Sequence, residues 1–322
     1  MQQDKTLEKT KKVDSMGSFR RGQLRFIWGW IVIPIISWLV FFLYVNMSSF
    51  IQAFQDRVTG EWTFQNFVDF WRSLSGENFS GGGRLDIAFS NTMKFFLLGL
   101  LVNSPIQLFV AYFLFKKIWG YKFYRFVFYF PVIISNVAMT GVFKEFIETA
   151  GPLGQICEAL GIALPAGGLL NSSETVVGTV MVYSVWDSIG LHMLLYCGAM
   201  ARIPLEVLES GRLDGVGGWR ELINLILPLI WPTMSTLLML QITGILGASG
   251  QILLLVGEND AFTLQAQTLS HWIFSKVYSG GNHMQGQYSL VSATGLSLTL
   301  VMLPFVMFVR WLFLEKIPTV EY

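Results

Sequence analysis

Six apolar stretches, each long enough to cross a bilayer, constrain this chain more than any other feature of its sequence. A helix that rises about 1.5 Å per residue needs about 20 apolar residues to cross about 30 Å of hydrocarbon. Because lipid cannot pair with backbone polar groups, apolar segments of this length are expected to be helices. The stretches lie at 27–47, 88–114, 125–147, 175–200, 229–256 and 287–314. The sequence therefore predicts an all-α integral membrane protein with six transmembrane helices.

The composition agrees with a membrane protein. Hydrophobic residues make up 53% of the chain and charged residues only 13%, whereas about 25% of residues are charged in soluble domains. The formal net charge is +1, so the overall charge gives no reason to expect a nucleic acid as a partner. The stretch 27–47 is longer than the core of a signal peptide and carries no small-residue cleavage site, so we expect it to remain as a span.

Lys and Arg residues predict the side of the membrane on which each connection lies, because cytoplasmic loops are enriched in them. They are concentrated in the segment 1–26, between the second and third stretches, in the loop 201–228 and near the C-terminal end. The connections on the other side carry few of them, namely Arg57, Arg72, Arg84 and Lys276. We therefore predict a cytoplasmic basic tail (1–26), a transmembrane domain (27–314) and a cytoplasmic C-terminal end (315–322), with the loop 201–228 also in the cytoplasm.

The loop 201–228 has the pattern of two short helices joined by glycines. Pro204 is favourable at the start of a helix, and three leucines follow it at roughly helical spacing. These leucines are Leu205, Leu208 and Leu213. The glycine-rich segment 215–218 then permits a sharp turn, and 219–227 predicts a second short helix that ends at Pro228. Such a loop predicts a rigid projection for a partner protein; an interfacial amphipathic helix without a partner is the alternative.

The same loop resembles a motif of a known family. Glu209-Ser210-Gly211, three residues, Gly215, nine residues, Leu225, one residue and Leu227-Pro228 is similar to the EAA loop of permeases from binding-protein-dependent ABC importers. The spacing matches the family pattern of Glu-Ala-Ala, Gly, Ile and Leu-Pro at every step, and Asp214-Gly215 has the common Asp-Gly form. Ser210-Gly211 in place of Ala-Ala and Leu225 in place of Ile depart from it. Glycine in place of alanine lowers helix propensity by about 1 kcal/mol.

Other segments extend the resemblance to about residues 30–314. Asn91-Thr92 is similar to the start of the family's second span, RFVFYFP at 125–131 to the start of the third, and Tyr288-Ser289 to the start of the last. The segment 257–260, Gly-Glu-Asn-Asp, stands where carbohydrate permeases of the maltose type carry a glycine-rich loop that reaches into the binding protein. This segment lacks the glycine-rich sequence of that loop, so the resemblance does not extend to the contact with the binding protein.

The resemblance implies the permease fold of type I ABC importers, in the cytoplasmic membrane of a prokaryote. It implies four kinds of partner: a second permease subunit, a dimer of ATPase subunits that binds ATP and Mg²⁺, an extracytoplasmic solute-binding protein, and a sugar or oligosaccharide. A uronate-type acidic oligosaccharide or a glycerol-phosphate-type solute is the alternative cargo. The loop would act as a coupling helix in a groove of one ATPase, through Glu209, Ser210, Gly211, Asp214, Gly215, Leu225 and Pro228.

Motifs of enzymes are missing from the sequence. No GxxxxGK[ST] phosphate loop and no Gly-x-Ser-x-Gly occurs, and His192, His271 and His283 lack the spacing of metal ligands. We therefore expect that this chain is not itself an enzyme and binds no metal or cofactor of its own. A self-contained channel or secondary transporter is the alternative class, but such proteins are expected to show inverted repeats and paired intramembrane charges.

Polar residues within the apolar stretches are candidates for a solute pathway, because polar groups are costly in hydrocarbon. Asp187 stands out because it lies beside Trp186. Its carboxylate can bind sugar hydroxyls, and the indole of Trp186 can stack on a sugar face. The resemblance places Ser188 and Leu191 at positions that contact sugar in maltose-type permeases. The alternative for Asp187 is a structural carboxylate near an interface or paired inside the bundle, and the alternative for Ser135 and Asn136 is interhelical hydrogen bonding. The candidates are Ser135, Asn136, Trp186, Asp187, Ser188, Leu191, His192, Gln241, Thr243, Ser249 and Gln251.

Overall fold

The computed structural model describes residues 22–23, 25–56, 59–77, 84–165, 167–244, 250–257, 261–278 and 284–312. In this part of the chain, the long helices are α1 (Arg25–Ala53), α3 (Leu85–Phe115), α7 (Val176–Met200), α9 (Glu221–Gly244) and α13 (Met284–Arg310), with the pair α4 (Tyr121–Ile133) and α5 (Asn136–Ile147). The shorter helices are α2 (Gln65–Leu74), α6 (Pro152–Ala159), α8 (Leu205–Leu213), α10 (Gly250–Val256), α11 (Ala261–Ala266) and α12 (Leu269–Tyr278).

The spans follow the apolar stretches of the sequence. Within the described residues, five helices are long and apolar enough to cross a membrane, and a bent pair makes a sixth. One isolated bridge, between Gln55 and Trp62, is the only β-type pairing in this part of the chain. The predicted all-α membrane fold is therefore confirmed. The C-terminal end lies outside the described residues. So does the basic tail, apart from its last few residues next to α1.

The third span, predicted as one apolar stretch over 125–147, is broken in the structure. The segments Tyr121–Ile133 and Asn136–Ala159 meet at 112°. Ile134 and Ser135 have extended backbones at the break, and the Ser135 side chain accepts a hydrogen bond from the backbone N–H of Ala138 at 3.3 Å. Ser135 therefore caps a new helix, and this local capping overrides the apolar pattern that continues on both sides.

The fifth span begins earlier than predicted, because Pro228 does not end a helix. α9 runs from Glu221 through Pro228 and Pro232 to Gly244. Its first turns, Glu221–Ile226, are π-helical. A π-type turn shifts the hydrogen-bond register and leaves a carbonyl without a partner, so a proline placed just after it removes little. The separate short helix predicted at 219–227 is thus wrong, and the residues between Gly244 and Gly250, including Ser249, lie outside the described residues.

A buried core joins α3, α7 and α9 at the end of the bundle where α8 lies. The core residues that are less than 4% exposed are Ala111, Leu114, Met193, Tyr196, Ala199, Met200, Leu222, Ile226 and Ile230. Ile203 and Leu208 belong to the same cluster. Close packing of these side chains joins the three helices, which therefore support the loop between α7 and α9.

The other end of the bundle has its own smaller core. Phe70 of α2 and Trp272 of α12 pack with residues of α3 and α13, namely Leu85, Ala88, Leu290 and Leu298. Asn91 of α3 donates hydrogen bonds to the carbonyl oxygens of Gln265 (2.6 Å) and Gln267 (3.1 Å), which ties the segment before α12 to α3. Both long connections on this side therefore contain helices that pack onto the spans.

Gly190 in the middle of α7 permits a close contact with α4. A Cβ at this position would clash with the carbonyl oxygen of Phe128 in α4 and would lie 2.7 Å from Cγ2 of Val132. A Cβ added to Gly198, on the same helix, would have no atom within 4 Å. The two glycines thus differ in surroundings while sharing one helix.

Gly190→Ala should destabilise the protein by about 1–3 kcal/mol, because overpacking forces α4 and α7 apart. Gly198→Ala is the control and should be neutral or slightly stabilising, since alanine has the higher helix propensity. Thermal unfolding of the detergent-solubilised variants, followed by fluorescence-detected size-exclusion chromatography, measures the difference. Equal melting temperatures for the two variants would contradict the close contact.

Candidate functional site

The loop between α7 and α9 forms a short helix followed by a glycine turn. α8 begins at Leu205, directly after Pro204, as the sequence predicted. Beyond its end, Gly215 (φ +74°) and Gly218 (φ +55°) have left-handed backbones. Side chains with a Cβ rarely adopt this conformation, so these two glycines make the return towards α9 possible. We call α8 and this turn, residues 205–218, the elbow.

The three leucines of the elbow do not lie on one buried face. Leu208 is 6% exposed and packs into the core, whereas Leu213 is 89% exposed. Five residues correspond to about 500° around a helix, which turns Leu213 about 140° away from Leu208. The outer surface also includes four predicted contact residues, Glu209, Ser210, Asp214 and Gly215, all of them exposed.

The two departures from the EAA pattern contact each other. Gly211 is buried, and a Cβ added to it would lie 2.9 Å from Cδ2 of Leu225 in α9. Glycine at this position therefore lets α8 lie against the start of α9. The family pattern has isoleucine in place of Leu225, and the leucine side chain reaches further from the backbone. Pro228 is half-buried, one turn further along α9.

An ion pair that was not predicted from the sequence holds the end of the elbow. Nζ of Lys116, just after α3, lies 2.7 Å from Oε2 of Glu221, whose side chain is 3% exposed. The hydroxyl of Tyr112 donates to the carbonyl oxygen of Gly218 at 3.1 Å and lies 3.4 Å from Oε2 of Glu221. The ring of Trp219 meets that of Phe109 edge-on at 4.9 Å. We call Tyr112, Lys116 and Glu221 the anchor.

The sequence did carry one indication of the anchor. Glu221 is an acidic residue at the start of an apolar helix, where the helix dipole favours a negative charge. Its partner Lys116 lies 105 residues away along the chain, and lysines after a span are expected for reasons of topology alone. Pairing over such a distance can only be recognised once α3 and α9 are known to be neighbours.

Two of the predicted pathway residues, Asp187 and Gln251, are joined by a hydrogen bond between helices. Nε2 of Gln251 in α10 donates to Oδ2 of Asp187 at 3.0 Å, and Oε1 of the same amide accepts from Ser184 at 2.7 Å. In the described part of the chain, no Lys, Arg or His nitrogen lies within 4.0 Å of the Asp187 carboxylate. Asp187 is half-buried.

Two further candidates bond to polar residues of α3. Gln107, 1% exposed, donates to the carbonyl oxygen of Ser188 at 3.0 Å. Ser104 donates to Oε1 of Gln241 at 2.9 Å. Nδ1 of His192 lies 3.3 Å from the same Ser188 carbonyl. The contacts of Gln107 and Ser104 correspond to the interhelical alternative, because each joins α3 to α7 or α9.

The remaining candidates are separate from that network. Trp186 is half-buried and stacks on Phe143 of α5 at 6.3 Å, so one face of its indole is already occupied. Ser135 and Asn136 lie at the break between α4 and α5, and Asn136 is exposed there. Leu191 and Thr243 are exposed on α7 and α9, and the Thr243 hydroxyl bonds to its own helix at Met239. The described residues contain no group of three or more His, Cys, Asp or Glu that could hold a metal ion.

A bundle of membrane-spanning helices with an exposed elbow held on one end defines the membrane subunit of a multi-component transporter. Residues 89–314 match the family model of the binding-protein-dependent transport system inner membrane component. The match covers well over half of the chain, and the chain belongs to this family. The resemblance inferred from the elbow sequence is thereby confirmed.

Characterised relatives and solved structures agree with this assignment. The multiple sugar-binding transport system permease protein MsmF of Streptococcus mutans is 24% identical over 233 residues, which cover 71% of this chain and 78% of that protein. The probable starch degradation products transport system permease protein AmyD of Thermoanaerobacterium thermosulfurigenes is 25% identical, over 62% of this chain and 67% of that protein. A chain of a bacterial alginate ABC transporter, in complex with a periplasmic protein carrying an alginate pentasaccharide, superimposes with a TM-score of 0.76. At 22% identity, over 94% of this chain and 98% of that one, it confirms the permease fold.

Glu221→Ala should destabilise the elbow strongly, because it leaves the Lys116 ammonium without its partner beside a buried tyrosine. Removing one partner of a buried pair costs about 3–5 kcal/mol, and we expect the lower end because Lys116 is partly exposed. Arg84→Gln is the matched control, since the Arg84–Asp86 pair (2.8 Å) lies at the surface, where such pairs contribute below about 1 kcal/mol. Thermal unfolding compares the two. A melting temperature of Glu221→Ala no lower than that of the control would contradict the anchor.

Proposed function

We propose that this chain is a permease subunit of an ATP-driven importer for a sugar or oligosaccharide, and that the elbow is its coupling helix. The observation that carries the proposal is the outer surface of α8. Leu205 and Leu213 are largely exposed on a helix that is otherwise fixed to the core. Exposed apolar side chains on a rigid support are typical of a binding surface for another protein.

The elbow is built to transmit a push without deforming. Leu208 and Gly211 fix the inner face of α8 to the core, and the anchor fixes the turn to α3. A displacement of α8 by an ATPase subunit would therefore move α3 and α9 together as a rigid unit. Such a switch requires only that the ATPase dimer, with ATP and Mg²⁺, binds one arrangement of the elbows more tightly than the other.

The break in the third span supports a solute pathway on one face of this chain. Ile134 and Ser135 leave backbone polar groups outside a helix, and Asn136 is exposed beside them. Non-helical backbone at membrane depth is tolerated only where protein covers it or where it lines a water-filled cavity. We place the pathway at this surface, between this chain and a second permease, with the Ser135 hydroxyl and the Asn136 amide available to sugar hydroxyls.

The bonded polar residues have a different part in this proposal. Ser188, Gln241 and Gln251 would hold α3, α7, α9 and α10 in register, because their hydrogen-bonding groups already have partners. Asp187 is half-buried and has no Lys, Arg or His nitrogen within 4.0 Å in the described residues. A pathway next to this charge would disfavour an anionic solute, which supports a neutral saccharide over a uronate or a glycerol phosphate.

The remaining parts of the proposal concern the assembly. A solute-binding protein would deliver the sugar on the side opposite the elbow, and both chain termini would lie in the cytoplasm with the ATPase dimer. ATP hydrolysis would take place on the ATPase subunits. Purification from the native membrane under mild conditions tests this assembly directly. Co-elution of an ATPase and of a second multi-span chain supports the proposal, whereas a stable, monodisperse single chain would favour a self-contained channel or secondary transporter.

Leu213→Asp should reduce co-purification of the ATPase subunit, because a charge replaces an apolar contact at the most exposed point of the elbow. Trp119→Asp is the matched control, since Trp119 is 91% exposed on the other connection at the same end of the bundle. Quantitative mass spectrometry of the purified complex gives the ratio of ATPase to permease for each variant. Equal ratios in Leu213→Asp and in the wild type would count against docking through the elbow.

Gly215→Val should leave the protein in the membrane but uncouple ATP hydrolysis from uptake. A Cβ at Gly215 meets no neighbouring atom, so the only effect is on the left-handed backbone, at about 1–2 kcal/mol. Gly217→Val is the control, because Gly217 is equally open and its backbone is not left-handed. The ratio of ATP hydrolysed to solute transported in proteoliposomes is the measurement. Wild-type coupling in Gly215→Val would contradict the role of the turn.

A further inference from the structure

Helix α2 presents an unusual arrangement, with polar residues inside and aromatic residues outside. Its buried face consists of Asn66, Asp69, Phe70 and Ser73, which follow the spacing of one helix face, and three of these four are polar. The opposite surface, with the residues that lead into the helix, is exposed and apolar. Trp62 and Phe64 are each 73% exposed, Trp71 is 61% exposed, and Val68 lies between them. We call Trp62, Phe64, Val68 and Trp71 the aromatic ledge.

Specific hydrogen bonds fix this orientation. Nδ2 of Asn66 donates to the carbonyl oxygens of Ala53 (3.0 Å) and Gln55 (2.8 Å), at the end of α1. Oδ1 of Asp69 accepts from Nε2 of Gln65 at 2.9 Å. Phe70 packs into the core formed by α3, α12 and α13. The ledge is therefore held outward by the pairing of polar groups on the inner face.

The ledge continues the exposed surface of the first span. None of the most apolar part of α1 is buried within this chain. From Phe50 near the end of α1, ring contacts run to Phe54 at 5.2 Å and from Phe54 to Phe64 at 5.6 Å. A chain of aromatic ring contacts thus extends from a membrane-spanning helix to the start of α2. It lies at the end of the bundle opposite the elbow, because α2 packs near Leu85, the first residue of α3.

We propose that the aromatic ledge lies in the interfacial region of the outer leaflet, so that α2 rests on the bilayer beside the end of α1. Trp side chains favour the level of the lipid headgroups, where an apolar ring and a polar N–H are both satisfied. Arg72, exposed next to Trp71, is placed to meet lipid phosphates. The lipid surface is the occupant that the continuity with α1 favours. This inference depends on α1 spanning the membrane and is independent of the transported solute.

Spin labels on single cysteines test the proposal in the purified complex, with whatever subunits accompany this chain, in lipid nanodiscs. The native Cys157 and Cys197 are first replaced by serine. Labels are then introduced by Trp71→Cys, by Val68→Cys as a second position should the first variant fold poorly, and by Glu61→Cys as the control on the exposed turn before Trp62. Collision with oxygen, which concentrates in lipid, and with a water-soluble nickel chelate is measured by power saturation.

For the ledge labels we expect an oxygen-to-nickel accessibility ratio several-fold higher than for the label at position 61. A ratio equal to that of the control would overturn the proposal and indicate a surface in water, open to the binding protein. Protection from both reagents would also overturn it and indicate that a second protein subunit covers the ledge. The accessibility ratio is measured whether or not an ATPase co-purifies. Failure of the lipid-surface proposal is therefore distinguishable from failure of the transporter assignment.

Discussion

The absence of water from the bilayer is the constraint on which this structure depends. Every backbone N–H and C=O within the spans needs a partner from the protein, and the helices satisfy this need along most of their length. Where the helical pattern changes, the chain supplies a local remedy. Ser135 caps the helix after the break in the third span, and π-helical turns precede Pro105 in α3 and Pro228 in α9. The irregular backbone at these places is therefore accompanied by a local feature that satisfies or spares its polar groups.

Side-chain polarity within the bundle follows the same constraint. Gln107, Ser104 and Gln251 each cross between helices and pair with a polar group there. Such bonds contribute about 1–2 kcal/mol or less each in membranes, but they also fix the relative register of the helices. Asp187 and the exposed residues at the break are different, because part of their polar surface is left open by this chain. The distinction separates groups that hold the bundle together from groups that are available to a solute or a partner subunit.

The sequence was most informative where length and spacing carry the meaning. Apolar length predicted the spans, and the spacing from Glu209 to Pro228 predicted the elbow and the family. It was least informative where the outcome depends on contacts between distant segments. The anchor joins residues 105 positions apart, and the helix after the break is capped by one side-chain hydrogen bond of Ser135. The exposure of Leu213 follows from its angular position around the helix relative to Leu208, which the number of leucines in the loop does not indicate. Trp186 stacks on Phe143, a neighbour that the apolar pattern of α7 does not indicate.

The contact between Gly211 and Leu225 has a consequence for protein engineering. Replacing residues by the commonest amino acid of a family is a frequent route to more stable variants, on the assumption that positions act independently. Here the two positions at which the elbow departs from its family pattern touch each other. An alanine at 211 would bring its Cβ to 2.9 Å from Cδ2 of Leu225, so the Leu225 side chain would have to shift to receive it. The two positions are energetically coupled, so substitutions toward the family pattern have to be made as a pair.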